Sequence, residues 1–415
     1  MATASEADTS APHPHPLRTK AFLLMWVALT VSVLGDQFYR VALTLTVADR
    51  GPFGLAALGM ALAVPIAVVG LVAGVFIDRH DRLRLLVRTD VVRAVIVAVL
   101  AFLLLTGHRS FPALIALAVL LSFVSVVFTP ALQALLPSLS KGDQRRLISM
   151  DAWILGAVST TGVVGPALAG VLLQVASAGA LMVVDAVTFS FSAVLILLAG
   201  REMPDRERPP SGLPARGKFE AVGEGLRFLM KHPVLGPCFR TFPLMDFALN
   251  SVPFVLPLVL AATSDAGTEK YGLMLGALAV GRVAGMALLN RTSLKDHRGA
   301  VLRYNFLVQG AGVLLVAAAG ESLAGLPCLV LVGLPAGAAQ VAMASYIQLE
   351  VAPQMRGRVF AALTSVVSWL APFGPLVFVT VAGLTTPAVA MAAIGILLAA
   401  GGARLYLCRP LRLVL

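Results

Sequence analysis

Five ionisable side chains lie inside apolar runs long enough to cross a bilayer: Asp36, Arg40, Asp185, Asp246 and Arg282. Charge in hydrocarbon is costly enough that such residues are candidates for binding a substrate or carrying a proton. Asp36 and Arg40 are four residues apart, so they share a helical face and are placed either to neutralise each other or to work together in a cavity. Asp36 falls about 15 residues into its run, roughly 22 Å along a helix and close to mid-membrane. Asp246 and Arg282 lie about 12 Å deep in neighbouring runs. Two readings stand for them: a carboxylate whose protonation frees the arginine for an anionic substrate, or a permanent buried ion pair. Asn250, one turn beyond Asp246, offers a ligand a hydrogen bond, and Pro253 and Pro257 remove backbone donors and bend the segment there. Asp185 sits near the outer end of its run, where water reaches it, either as a structural cap or as a proton carrier.

The elements that must position these side chains follow from composition. Of 415 residues, 58% are hydrophobic and 13% charged, and the mean hydropathy is +0.90. That is too apolar for a water-soluble globule and predicts an all-α membrane protein. Apolar runs and breakers place twelve transmembrane helices near residues 21–47, 53–77, 85–106, 111–136, 149–175, 180–200, 238–262, 271–290, 301–320, 323–348, 359–383 and 387–407. The first run is too long for a secretory signal and has no small-residue cleavage site. The Pro-, Ser- and Thr-rich tail before it reads as disordered, and its His13 and His15 are a weak pair for a metal. Cys238, Cys328 and Cys408 form no CxxC motif and read as packing residues.

Lys and Arg set the orientation. All of them except Arg40, Arg50, Arg109, Lys270 and Arg282 fall in the tails, in loops 2–3, 4–5, 6–7, 8–9 and 10–11, or at the helix ends beside them. Both termini are therefore expected in the cytoplasm. The net charge of +11 then has a topological cause, and nucleic acid is not an expected partner.

The chain also looks doubled. "LLPSLSKGDQRRLISMDAW" around Pro137 is echoed by "EVAPQMRGRVFAALTSVVSW" around Pro353, and Gly165-Pro166 by Gly374-Pro375. The predicted organisation is a disordered tail (1–20), a six-helix bundle (21–200), a cytoplasmic linker (201–236), a second six-helix bundle (237–407) and a short tail (408–415). Within the linker, Phe219, Val222, Leu226 and Leu229 recur at helical spacing, which suits a helix lying in the membrane interface.

With twelve helices, two halves and "GVFIDRHDR" between helices 2 and 3, the chain resembles the major facilitator superfamily. The family pattern there is G-x-x-x-D-R-x-G-R-[RK]; Gly74, Asp78, Arg79 and Arg82 match, whereas Asp81 and Leu83 depart from it. "PALQALLPSL", "VGPALAG", "VDAVTF", "EGLRFLMKHPVL" and "RGRVFAAL" are similar to the macrolide-efflux and siderophore-exporter branch. The resemblance implies that helices 1 and 7 line a central cavity and that the 2–3 loop is a cytoplasmic latch of the outward-facing state. Asp78 would accept hydrogen bonds from a helix N-terminus, and most of the nearby arginines would anchor topology. Gly70 and Gly74 leave one helix face bare for a sliding contact. In helix 5, Gly165, Pro166 and Gly170 fit the exporter pattern G-x-x-x-G-P-x-x-G-G, with Thr161 and Ala169 in place of glycines. Gly272, Gly276, Gly281 and Gly285 in helix 8 predict close helix packing.

No nucleophile elbow, P-loop, HExxH or metal-binding carboxylate motif is found, so no enzyme, ATP drive, cofactor or metal is expected. The expected function is secondary transport at the cell membrane: export of an amphipathic small molecule such as an antibiotic or siderophore, coupled to protons, by a monomer in the lipid bilayer. An importer or symporter of a small metabolite is the nearest alternative. A non-transporting receptor or scaffold is a further one.

Overall fold

The computed structural model describes residues 16–78, 80–140, 143–203, 215–260, 265–291 and 298–408, with the backbone alone at some helical positions, 70–75 and 78 among them. His13, His15, Arg79, the Pro-rich part of the linker and the last residues lie outside the described set. The described residues form a short 3-10 turn, Pro16–Arg18, and sixteen α-helices. These are α1 (Lys20–Ala48), α2 (Gly51–Asp78), α3 (Arg82–Leu105), α4 (Phe111–Ser125), α5 (Phe128–Ser140), α6 (Gln144–Leu172), α7 (Ala178–Arg201) and α8 (Ala215–Lys231). They continue as α9 (Leu235–Leu249), α10 (Val252–Val259), α11 (Asp265–Arg291), α12 (Arg298–Ala319), α13 (Gly325–Glu350), α14 (Pro353–Leu370), α15 (Phe373–Leu384) and α16 (Pro387–Leu407).

Ten helical stretches are long and apolar enough to cross a membrane, with α4–α5 and α9–α10 each forming one stretch. The chain is a multi-pass, all-α membrane protein. Helix α3 is also long, but Arg88, Asp90 and Arg93 crowd its first half with charge. The last predicted crossing before α16 is divided into α14 and α15.

Three predicted crossings are broken in two, and proline explains each break. Pro130, Pro253 and Pro375 stand at the start of α5, α10 and α15. A proline has no N–H to return to the preceding turn, and its ring clashes with the carbonyl four residues back. Those carbonyls belong to Val126, Leu249 and Ala371, at or beside the three breaks. Pro137, by contrast, stays inside α5, which runs on to Ser140 rather than ending near residue 136.

Helix α1 packs against α6 and α7, and α7 also against α3. Trp26 of α1 meets Trp153 of α6 edge to face at 5.8 Å and donates its indole N–H to the Trp153 carbonyl. Further along the chain, α12 packs against α13 and α16, and α11 against α13. The four helix-8 glycines divide between two neighbours. A Cβ on Gly272 would stand 2.6 Å from the Gly170 Cα of α6, and one on Gly276 2.9 Å from the Ala167 Cβ. Gly281 and Gly285 lie instead against the α13 backbone at Val330 and Leu334. Helix α8 docks on α14, where Gly225 abuts the Arg358 carbonyl and Glu224 pairs with Arg358.

Candidate functional site

The site begins with Arg93, which α3 carries into the contact between α1 and α7. Its side chain is only 3% exposed. Nη2 donates to both oxygens of Asp36 at 2.8 and 2.7 Å, and Nη1 donates to Asp90 Oδ1 at 3.1 Å and Ser32 Oγ at 3.3 Å. The guanidinium lies over the Phe189 ring at 3.9 Å, with the Phe128 ring at 5.2 Å. Stacking on aromatic faces while forking to carboxylates is what arginine does and lysine does not.

Asp90 is fully buried one turn before Arg93. Asp185, on α7, is also fully buried and lies within electrostatic reach of Arg93 and Asp36. Its Oδ1 accepts the Thr188 hydroxyl at 3.1 Å. Gly35 makes this approach possible: a Cβ there would collide with both Asp185 Oδ1 and Thr188 Oγ1. The network thus sets three carboxyl groups around one guanidinium. Removing one partner of such a buried pair typically costs about 3–5 kcal/mol.

Asp36 alone among the three carboxyls is partly open, at 22% side-chain exposure. It faces a cavity of about 360 Å³ bounded by α1 to α5, whose lining also includes Arg40, Leu62, Ile66, Ser122 and Phe128. A second cavity, about 150 Å³, sits apart from this network beside Asp49, Arg50 and Arg109.

The structure redistributes the residues expected from sequence. The Asp36–Arg40 pair does not form: Asp36 is taken by Arg93, while Arg40 is exposed and lines the same cavity. Asp185 is not at a wet outer end, because α7 turns it inward against Gly35. Asp246 and Arg282 form no ion pair, although each lies within reach of the other's charge. Asp246 Oδ2 instead accepts from Asn250 Nδ2 at 2.6 Å, and Arg282 is exposed. Asp90, Arg93 and Gly35 were not among the sequence candidates.

Of the latch residues, Gly74 lies within α2 and Asp78 ends it, their side chains outside the described set like the whole of Arg79. Arg82 Nη1 donates to the Ala134 carbonyl of α5 at 2.6 Å, tying the loop to a neighbouring helix. Asp81, which stands where the family pattern has glycine, caps α3 by accepting the Arg84 N–H at 3.0 Å.

The two Gly-Pro pairs make corresponding contacts. A Cβ on Gly165 would meet the side chain of Gln37, next to Asp36, at 2.5 Å. Gly374 abuts the carbonyl of Phe247, next to Asp246. Pro166 and Gly170 lie further along α6, where Gly170 meets Gly272.

The helical membrane architecture has close counterparts among solved structures. A bacterial homolog of the human lysosomal transporter Spinster, inward-facing and unoccupied, superposes with a TM-score of 0.69 at 13% identity, over 97% of this chain and 98% of that one. The nucleoside transporter NupG superposes with a TM-score of 0.73 at 10% identity, over 93% and 100%. The fold is that of a major facilitator superfamily transporter. Residues 11–413 match the transmembrane secretion effector family, and the chain belongs to it.

Among curated relatives, the chain is 24% identical to the uncharacterized MFS-type transporter YfiS of Bacillus subtilis over 83% of both chains. It is 24% identical to the multidrug efflux pump Tap of Mycobacterium tuberculosis over 86% of both. With macrolide efflux protein A of Streptococcus pyogenes it shares 22% identity over 85% of this chain and 87% of that one.

Proposed function

We propose that this protein exports an amphipathic small molecule from the cytoplasm in exchange for protons, with Asp36 and Arg93 as the coupling pair. The observation that carries the reading is the bridge itself: a carboxylate open to a cavity holds a guanidinium that is otherwise sealed among helices. Protonating Asp36 removes two acceptors from Arg93, and a substrate group that engages Asp36 competes with that proton. The cavity's mix of Leu62, Ile66 and Phe128 with Asp36, Arg40 and Ser122 suits a molecule with an apolar body and a few polar groups.

Alternating access follows from two bundles, 21–200 and 237–407, rocking about their shared contacts. Gly170 meets Gly272, and Gly59 meets Pro375. With both termini cytoplasmic, these contacts fall in the outer half, and outward opening separates them. Gly74, Asp78, Arg79 and Arg82 form the opposing cytoplasmic latch. Asp246, Asn250 and Arg282 form a second polar group that a substrate meets in the other bundle. The family description and the names of the efflux relatives favour export over import, an antibiotic or related natural product as cargo, and the cell membrane as the site of action. A single copy holds the full site.

The test is reconstitution into proteoliposomes with an imposed pH gradient and a panel of natural-product antibiotics that includes macrolides. Proton-coupled export predicts solute and proton fluxes in opposite directions. Parallel fluxes would establish the symporter reading instead, and absence of gradient-driven flux across the whole panel would reject the export of such compounds.

A further inference from the structure

We propose that Arg93 has a second seat, between Asp90 and Asp185, which it occupies when Asp36 is neutralised, so that these two buried carboxyls are positioning residues of the exchange. The inference rests on Asp36 being the coupling carboxylate. It is carried by the polar atoms that the present arrangement leaves over. Asp90 Oδ2, Asp185 Oδ2 and Arg93 Nε are all buried without a hydrogen-bond partner. Buried polar groups are rarely left unpaired, and here two acceptors and one donor of complementary charge are left over in one network.

The surroundings also supply a path. Phe189, whose face the guanidinium covers, is four residues beyond Asp185 and therefore one turn away on the same side of α7. A guanidinium released from Asp36 has only to slide along that ring by about one helical turn, roughly 5 Å, to reach Asp185. Stacking is kept during the move.

The charged and titratable groups around Arg93 are Asp36, Tyr39 and Arg40 from α1, Asp90 from its own helix and Asp185 from α7. Helix α5 brings Phe128 and no charge. In this set only Asp36 and Arg40 line the cavity beside Arg93 with a charge of their own. Neutralising Asp36 therefore leaves the inward carboxyls as the only anionic partners within reach. The consequence is mechanical: α1 loses its tether to α3 while Arg93 tightens α3 onto α7. A proton arriving from the cavity is thereby converted into a change in which helices are bound together.

The direct test is a cryo-electron microscopy structure of full-length Asp36→Asn, with Asp36→Leu as a second variant that offers no acceptor at all. In both, the guanidinium is expected within hydrogen-bond distance of Asp185 Oδ2 or the free oxygen of Asp90. A guanidinium that stays at residue 36, or that turns into the cavity toward Arg40, overturns the proposal. Asp185→Asn provides the functional arm, read as proton-driven flux against pH beside substrate counterflow. The second seat predicts at least a tenfold loss of proton-driven flux and a flattened pH profile with counterflow retained. An unchanged pH profile refutes it. If Arg93 moves in Asp36→Asn but the wild-type protein shows no proton coupling, the export reading fails while the second seat stands.

Discussion

Replacing Arg93 by Gln tests whether the buried network is held together by charge. The substitution keeps much of the volume but leaves Asp36, Asp90 and Asp185 facing one another without a cation. Breaking a buried pair by removing one partner costs about 3–5 kcal/mol. At about 2–4 °C per kcal/mol for a domain of 150–250 residues, the apparent Tm should fall by roughly 6–20 °C. The double variant Asp36→Asn/Arg93→Gln removes one of the stranded carboxylates and should recover part of that loss, because the two residues share a network and their effects do not add. The assay is thermal unfolding of purified protein in one detergent at one pH, for wild type, both single variants and the double. Arg93→Gln melting within a degree of wild type, or a double variant no more stable than Arg93→Gln, would refute the reasoning.

Gly35→Ala should separate α1 from α7, since the added Cβ meets both Asp185 Oδ1 and Thr188 Oγ1; the expected loss is about 1–3 kcal/mol by overpacking, seen as a lower Tm, and Gly35→Ser should be no better. Gly272→Val should wedge α6 from α11 at Gly170, abolishing flux in proteoliposomes more than it lowers Tm, and a variant with normal flux would show that this contact is not a moving one. His232, outside the membrane-spanning segments, accepts the N–H groups of Val234 and Leu235 at 3.2 and 3.1 Å and so caps α9 in its neutral form. Burial holds its imidazole below the usual value, with Glu350 opposing that shift. The unfolded chain therefore takes up the proton first, and the His232 contribution to stability is present above about pH 6.5 and lost as the pH falls below it. His232→Gln should flatten that part of the stability profile, whereas an unchanged slope in unfolding melts between pH 5 and 7 would remove His232 from the explanation.

Much of the helical framework was legible because long uncharged runs have one solvent in which they are stable. Helix α8 was readable from Val222, Leu226 and Leu229, whose spacing matches the face it lays on α9 and α14. Pro253 announced the break between α9 and α10; Pro130 and Pro375 acted in the same way, but within apolar stretches that read as continuous. At the site, Asp36 stood out as a lone carboxylate in an apolar run. Arg93 did not, because it follows Arg82, Arg84 and Arg88 and reads as the basic flank of a loop. The spacing of Asp90 and Arg93 was the one available signal, three residues apart and one turn inside the segment beyond Arg88. Asp185 was misplaced for a different reason. Counting residues gives depth along a helix, whereas its burial depends on rotation and on the absence of a side chain at Gly35, which only packing reveals.

Asp36→Asn measured in two modes of the same proteoliposomes is the most direct test of proton coupling through the Asp36–Arg93 bridge. Counterflow of a transported antibiotic, which needs binding and alternation but no net proton movement, should persist. Accumulation driven by an imposed pH gradient should be lost. Gradient-driven accumulation at the wild-type rate in Asp36→Asn would contradict the coupling role of this pair.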